Sequence, residues 1–321
     1  MEKTVVILGG ELAPEGRSLL EEAGASVIAT APYIDRRAVI ETMKAHRPDA
    51  VIVRLLADLL GSEEMQAGGR LRHIAKHGVG TNDIDVKAAT ALGIPVSMTT
   101  GSNGHSVAEH ALALIMALVK DLPRQDALIR DGIWDKNQYK GRELRGRRLG
   151  LVGIGFIGQT LAKMAGAIGM TVSAFDPHAP DSAFGDEVSR ETDLETLLAN
   201  SDIVSLHCPL TPETQDLINA RRIGLMKQGA FLINTARGEV VDEKALVAAL
   251  EDGHLAGAGL DSFAVEPPGI DNPLFQLSNT LVTPHVAGVT LDAKRAVSIM
   301  SAENVLAALD GVTLHPRFLA R

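Results

Sequence analysis

Arg148-Leu149-Gly150-Leu151-Val152-Gly153-Ile154-Gly155-Phe156-Ile157-Gly158-Gln159-Thr160-Leu161-Ala162-Lys163 reads as a strand, a glycine turn and the start of a helix. Gly153, Gly155 and Gly158 have the G-x-G-x-x-G spacing in that setting. The first glycine permits the tight turn, and the second lets the backbone approach a pyrophosphate. The third packs helix against strand, and the helix N-terminus faces the anion. The next strand, Thr171-Val172-Ser173-Ala174-Phe175, ends in Asp176, eighteen residues after Gly158. An acid there accepts hydrogen bonds from the adenosine ribose hydroxyls, and its charge repels a 2′-phosphate. The whole run predicts a dinucleotide site that takes NAD rather than NADP. Pro177-His178 after the acid supplies the one nearby cation that would soften this preference.

Working outward, short β-branched runs alternate with longer helical patterns. Thr4–Leu8, Val27–Ala29, Val51–Val53, His73–Lys76 and Val96–Met98 form one series of expected strands. A second comprises Arg148–Val152, Val172–Phe175, Ile203–Leu206, Ala230–Ile233, Gly257–Leu260 and Leu281–Thr283. Such alternation demands parallel sheets covered on both faces, so the expected fold is α/β with two doubly wound domains. Asp85 caps a helix that stops at Gly93, ahead of Pro95. The boundaries fall in Thr99-Thr100-Gly101-Ser102-Asn103-Gly104 and in Pro284-His285-Val286-Ala287-Gly288. The helix expected over Leu291–Leu309 fits either domain. The helix through Ala111–Leu118 is apolar around most of its circumference, which implies burial on several sides, as a core helix or one shared with a subunit interface.

The 321 residues suit two domains at roughly 150 residues each. Apolar residues at 45% and charged residues at 22% describe a globular chain, not a disordered one. Thirty-one basic against forty acidic side chains give a net charge of −9, no footprint for nucleic acid or an anionic membrane. Aromatics at 3% make base-stacking platforms improbable. The longest apolar run, Ala111–Val119, is far short of a membrane span, and the N-terminus has no signal-peptide layout. A single cysteine, Cys208, leaves no internal disulfide and no cysteine metal cluster, and points to a cytoplasmic setting. Cys208 reads as a small buried hydrophobe. No His/Asp/Glu cluster has metal-ligand spacing, so no metal is expected.

Polar candidates gather where second-series strands end: Cys208-Pro209-Leu210, Asn234-Thr235-Ala236-Arg237-Gly238, Asp261 and Pro284-His285. In open parallel sheets ligands bind outside the carboxyl ends of strands. Hydride transfer to a nicotinamide needs a base for a hydroxyl proton, a cation for a carboxylate or oxyanion, and a group that tunes the base. His285 suits the first task, Arg237 the second and Glu266 the third. Each has a plainer reading: a satisfied structural histidine, a helix-capping arginine and a solvated carboxylate before Pro267-Pro268.

The run Gly78-Val79-Gly80-Thr81-Asn82-Asp83-Ile84-Asp85, then Ser106-Val107-Ala108-Glu109 and the glycine turn, resembles the D-isomer-specific 2-hydroxyacid dehydrogenases. So do His207-Cys208-Pro209-Leu210-Thr211, Asn234–Gly238, Asp261-Ser262-Phe263-Ala264-Val265-Glu266-Pro267 and Thr283–Gly288. The resemblance implies a Rossmann-type NAD domain, residues 100–288, inserted into a flavodoxin-like substrate domain, residues 1–99 plus 289–321. It implies Arg237 on the substrate carboxylate and carbonyl, His285 as acid/base, Glu266 as its partner, and Asp261 on the nicotinamide carboxamide. Gly153, Gly155, Phe156, Ile157, Gly158, Asp176, Pro209, Thr235, Ala236 and Gly288 complete the implied cofactor set. The backbone of Gly78, Val79 and Gly80, with Asn103, is implied at the substrate. Arg54 and Lys76, each ending a first-series strand, either pair with a distal anion of the substrate or are solvated surface cations. The family is usually dimeric through the inserted domain. The nearest flavour is a short, phosphoglycerate-dehydrogenase-like form without a regulatory domain, although Leu55 and Leu56 stand where a small hydroxyl residue follows the arginine in that pattern. Formate dehydrogenases carry an amide at the Glu266 position. The resemblance thus implies an NAD-dependent enzyme interconverting 2-oxo and D-2-hydroxy acids; the alternative is an NAD(H)-sensing binding protein like the corepressors built on this scaffold.

Overall fold

The computed structural model describes residues 3–320. The chain forms two compact units: one runs to Asn103 and resumes at Val289, and the other is Gly104–Gly288.

The first unit holds five parallel strands, β1 (Lys3–Leu8), β2 (Ala25–Ala29), β3 (Ala50–Val53), β4 (His73–Lys76) and β5 (Val96–Ser97). Their order is β2-β1-β3-β4-β5, the flavodoxin-like arrangement. The twofold period of a strand divides β1 between two cores. Val6 and Leu8 join Val51, Val53, Met43 and Met65 on one face. Val5 and Ile7 join Ile52, Leu20, Ala302, Val305 and Leu309 on the other. The last three lie on the helix Leu291–Leu309, which therefore belongs to this unit. Gly16 allows that helix to close on Pro14–Glu22, since a Cβ at Gly16 would stand 2.5 Å from the Ser298 carbonyl oxygen.

The second unit holds β6 (Arg148–Val152), β7 (Thr171–Phe175), β8 (Val188–Arg190), β9 (Ile203–Leu206), β10 (Ala230–Asn234), β11 (Leu255–Leu260) and β12 (Thr280–Val282). The order is β12-β11-β10-β9-β6-β7-β8, with every pairing parallel. This is the Rossmann winding, extended by one strand. Its direction reverses between β6 and β9, where such sheets open a crevice. The three-residue edge strand β8 was absent from the expected series.

Within this one chain the helix Gly104–Val119 is buried along a single side, not the several sides expected of a core helix. Val107, Ala108, Ala111, Leu114, Ile115 and Val119 form one buried stripe, while Met116 remains 41% exposed. The helix closes on β11 because two glycines there lack Cβ: at Gly259 a Cβ would lie 3.1 Å from the Leu114 Cβ. No helix among the described residues is long and apolar enough to cross a membrane.

Candidate active site

The glycine turn follows β6, at the reversal point. Gly153 has φ +97°, and a Cβ there would come within 2.8 Å of the His207 backbone. At Gly158 a Cβ would meet the Gly153 carbonyl oxygen at 2.4 Å, so only glycine lets the helix Phe156–Ala167 start here. A Cβ at Gly155 meets nothing within 4 Å. The middle glycine thus faces open space, as a turn that admits a phosphate should. Asp176 ties this turn to the end of β7. Its Oδ2 accepts from Ile154 N–H at 3.0 Å, and its Oδ1 from His178 and Ala179 N–H at 3.0 and 3.1 Å. Phe156 is exposed, and Ile157 and Ala162 lie along the same helix.

His207, beside the turn, has its Nε2 on the Ser205 hydroxyl at 2.9 Å, and burial pushes it down to about 4. Burial, aided by the Asp176 charge, pushes the Cys208 thiol up to about 11, so no thiolate forms here at neutral pH. Pro209 is exposed after it.

The ends of β10, β11 and β12 carry the polar candidates. Asn234 shapes the loop after β10: its Oδ1 accepts from Ala236 N–H at 3.0 Å and its Nδ2 donates to the Arg237 carbonyl at 2.8 Å. Gly238 then passes against the backbone of Phe263 and Ala264, where a Cβ would come within 1.8 Å. That contact sets the Arg237 loop beside the Glu266 loop. Arg237 is half-buried, with Nη1 donating to the Ala236 carbonyl at 2.7 Å. The Thr235 hydroxyl is buried and has no hydrogen-bond partner among the described residues.

Glu266 is held at both oxygens. Oε1 accepts from Phe263 N–H at 3.0 Å, and Oε2 lies 2.7 Å from His285 Nδ1. An ionised carboxylate only accepts, so His285 Nδ1 carries the hydrogen and Nε2 points away from the pair. Asp261, 1% exposed at the end of β11, grips the loop that bears His285. Its Oδ1 accepts from Thr283 Oγ1 at 2.6 Å and Val286 N–H at 2.8 Å, and its Oδ2 from Ala287 N–H at 2.9 Å. Gly288 closes this segment. Among the described residues no group of three or more His, Cys, Asp or Glu could hold a metal ion.

On the first unit, Lys76 is not a solvated cation. It is 8% exposed, paired with Asp83, and donates to the Arg54 carbonyl at 3.1 Å. Arg54 is half-buried, and its Nε is enclosed without a hydrogen-bond partner among the described residues. Gly78 has φ +142°, and its carbonyl accepts from Thr99 N–H at 2.9 Å, which fixes the turn that presents Val79 and Gly80. Asn103 ends this stretch of the unit.

His110 and Thr283 were missing from the sequence-derived site. They are bonded to one another at 3.0 Å across 173 residues, and no spacing rule connects them.

Residues 112–287 match the model of the D-isomer specific 2-hydroxyacid dehydrogenase, NAD binding domain. The chain belongs to the D-isomer specific 2-hydroxyacid dehydrogenase family. The hydroxypyruvate reductase of Thermotoga maritima is 41% identical over 263 residues, covering 81% of this chain and 85% of that one. The D-3-phosphoglycerate dehydrogenase of Mycobacterium tuberculosis is 41% identical over 263 residues, 82% of this chain and 49% of that relative. The chain thus spans about half the length of the phosphoglycerate dehydrogenases it matches. A D-lactate dehydrogenase of Aquifex aeolicus, solved with NAD and lactic acid, superposes with a TM-score of 0.81 at 31% identity, over 96% of each chain. Family membership makes the Gly104–Gly288 unit an NAD-binding one, and the open face of Gly155 and the placement of Asp176 suit that cofactor.

Proposed function

We propose that this protein is an NAD-dependent oxidoreductase interconverting a 2-oxo acid and a D-2-hydroxy acid. The observation that carries the reading is the 2.7 Å contact of His285 Nδ1 with Glu266 Oε2. It leaves Nε2 as the proton-transferring atom and places a negative charge where it stabilises the imidazolium. In reduction, Nε2–H gives its proton to the carbonyl oxygen; in oxidation, neutral Nε2 takes the hydroxyl proton. Arg237, with its planar fork, holds the carboxylate and draws charge toward the carbonyl oxygen. Bound NAD supplies the hydride acceptor, and its reduced form the donor. Asp176 holds the adenosine ribose, the glycine turn the pyrophosphate, and Pro209, Thr235, Ala236 and Asp261 line the remaining cofactor.

Gly78, Val79, Gly80 and Asn103 complete the proposed substrate set. Arg54 is the cation proposed for a distal anion, because the Lys76 charge is already answered by Asp83. The relatives' names put hydroxypyruvate and phosphohydroxypyruvate among the substrates to try. A homodimer is proposed through the Gly104–Gly288 unit. Leu122, Ile129, Ile133 and Trp134 there are all exposed, and Trp134 is 77% exposed. A cytoplasmic setting is proposed with this reading.

The test is NADH oxidation with glyoxylate, hydroxypyruvate, phosphohydroxypyruvate and sulfopyruvate. Turnover of at least one is expected, with anion-bearing substrates ahead of glyoxylate by about one to two decades in kcat/KM. NADH binding without turnover of any would favour the binding-protein alternative instead.

A further inference from the structure

His285 is one of the few residues other than glycine at positive φ, +52°. A side chain in the left-handed region persists only when its surroundings fix it. The fixing is visible. His285 N–H donates to the Thr283 carbonyl at 3.0 Å, and the next two peptide N–H groups, of Val286 and Ala287, donate to the two oxygens of Asp261. The orientation of that carboxylate therefore sets the backbone of His285.

Two further groups set the carboxylate. The Thr283 hydroxyl, donating to Asp261 Oδ1 at 2.6 Å, has spent its single proton. It can only accept from His110 Nε2, 3.0 Å away. A directed chain results: His110 Nε2–H to Thr283 Oγ1–H to Asp261 Oδ1. The direct separation of His110 Nε2 from Asp261 Oδ1 is 3.7 Å, so the hydroxyl is the hydrogen-bonded link between them. The helix Gly104–Val119, which carries His110, is held close to β11 at Gly257 and Gly259. We infer that His110 and Thr283 are positioning residues that act through Asp261 to hold His285 against Glu266. The inference rests on the proposed role of His285 as the proton carrier. It gives Asp261 a second task, and it assigns His110 the tautomer with hydrogen on Nε2.

The test measures kcat for 2-oxo acid reduction at saturating NADH, together with the NADH Kd, in Thr283→Val and His110→Leu. Loosening a positioned acid should lower kcat about tenfold or more, with the NADH Kd within about twofold of the parent. Thr283→Ser and His110→Gln keep the hydrogen-bonding groups and should recover most of the loss. In a His285→Asn background Thr283→Val should add nothing, because both act on one step. Nitrogen-15 spectra of the folded parent should show hydrogen on His110 Nε2, a readout independent of how well the variants fold. The proposal is overturned by unchanged kcat in both Val and Leu variants, by loss confined to the NADH Kd, by an additive loss in the His285→Asn background, or by an Nε2 that lacks hydrogen. Parental turnover in His285→Asn alone would defeat the proton-carrier reading, and the brace with it. It is a separate result, since it needs no change at 110 or 283.

Discussion

Asp176 shows how one side chain serves fold and specificity together. Its carboxylate accepts one backbone N–H of the glycine turn, from Ile154, and two of the loop after β7, from His178 and Ala179, and it ends the strand beside which an adenosine ribose would sit. Hydrogen bonds to a charged group contribute about 1.5–3 kcal/mol each, or one to two decades in affinity. Asp176→Ser should therefore weaken NADH by at least about tenfold and raise the ratio of NADPH to NADH use, because a charge that repels a 2′-phosphate is gone. Fluorescence titration with both cofactors checks this, and an unchanged ratio would contradict the assignment. At this scale the sequence was informative where one residue type does one job. Gly153, Gly158 and Asp176 could be read from spacing alone. His110 could not. A histidine on an apolar helix gives no hint of its partner, and Thr283 is 173 residues away.

At the scale of elements, the strand–turn–helix through β6 offers a contrast between two glycines. Gly158→Ala would drive a Cβ to 2.4 Å from a backbone oxygen, and overpacking of that kind costs about 1–3 kcal/mol. Gly155→Ala meets nothing within 4 Å and has a backbone any residue adopts, φ −67° and ψ −166°. It should melt like the parent yet bind NADH roughly tenfold more weakly, since the methyl group fills space meant for a phosphate. Equal melting losses in the two variants would contradict this. Strand β4 carries a second expectation, on pH. Burial pushes His73 down to about 4, below the unfolded value of about 6.5. The unfolded chain then binds the proton first as pH falls. Stability is intact above about 6.5 and declines toward 4, by about 2 kcal/mol at pH 5 for this one group. His73→Gln, which keeps a partner for the Ser97 hydroxyl, should shrink the drop in Tm between pH 7 and pH 5. Most strands were legible because β-branched runs between turn residues have few alternatives. Edge strand β8 was not, since three residues, of which Val188 alone packs on the core, carry no period.

At the scale of the whole molecule, periodicity shows which face of Leu291–Leu309 is apolar, but not which sheet that face covers. Ala302, Val305 and Leu309 settle it by packing on Val5, Ile7 and Ile52. The reverse holds for Gly104–Val119, whose apolar circumference exceeds what one chain buries. The surplus at Met116, with Leu122, Ile129, Ile133 and Trp134, is what a second copy would cover. Sedimentation should give a dimer for the parent, and Trp134→Glu should shift it toward monomer; a monomeric parent would remove the proposed dimer. The alternation of strands and helices revealed both sheets, and the strand ends named Arg237 and His285, with Glu266 as the carboxylate that would tune the histidine. The structure adds the 2.7 Å contact that makes the last two a pair. The direct test of that pair as the proton-transfer device is the single-turnover rate of 2-oxo acid reduction by His285→Asn with NADH prebound. A fall of roughly 10²–10⁴-fold with an unchanged NADH Kd is expected. A rate close to that of the parent would contradict it.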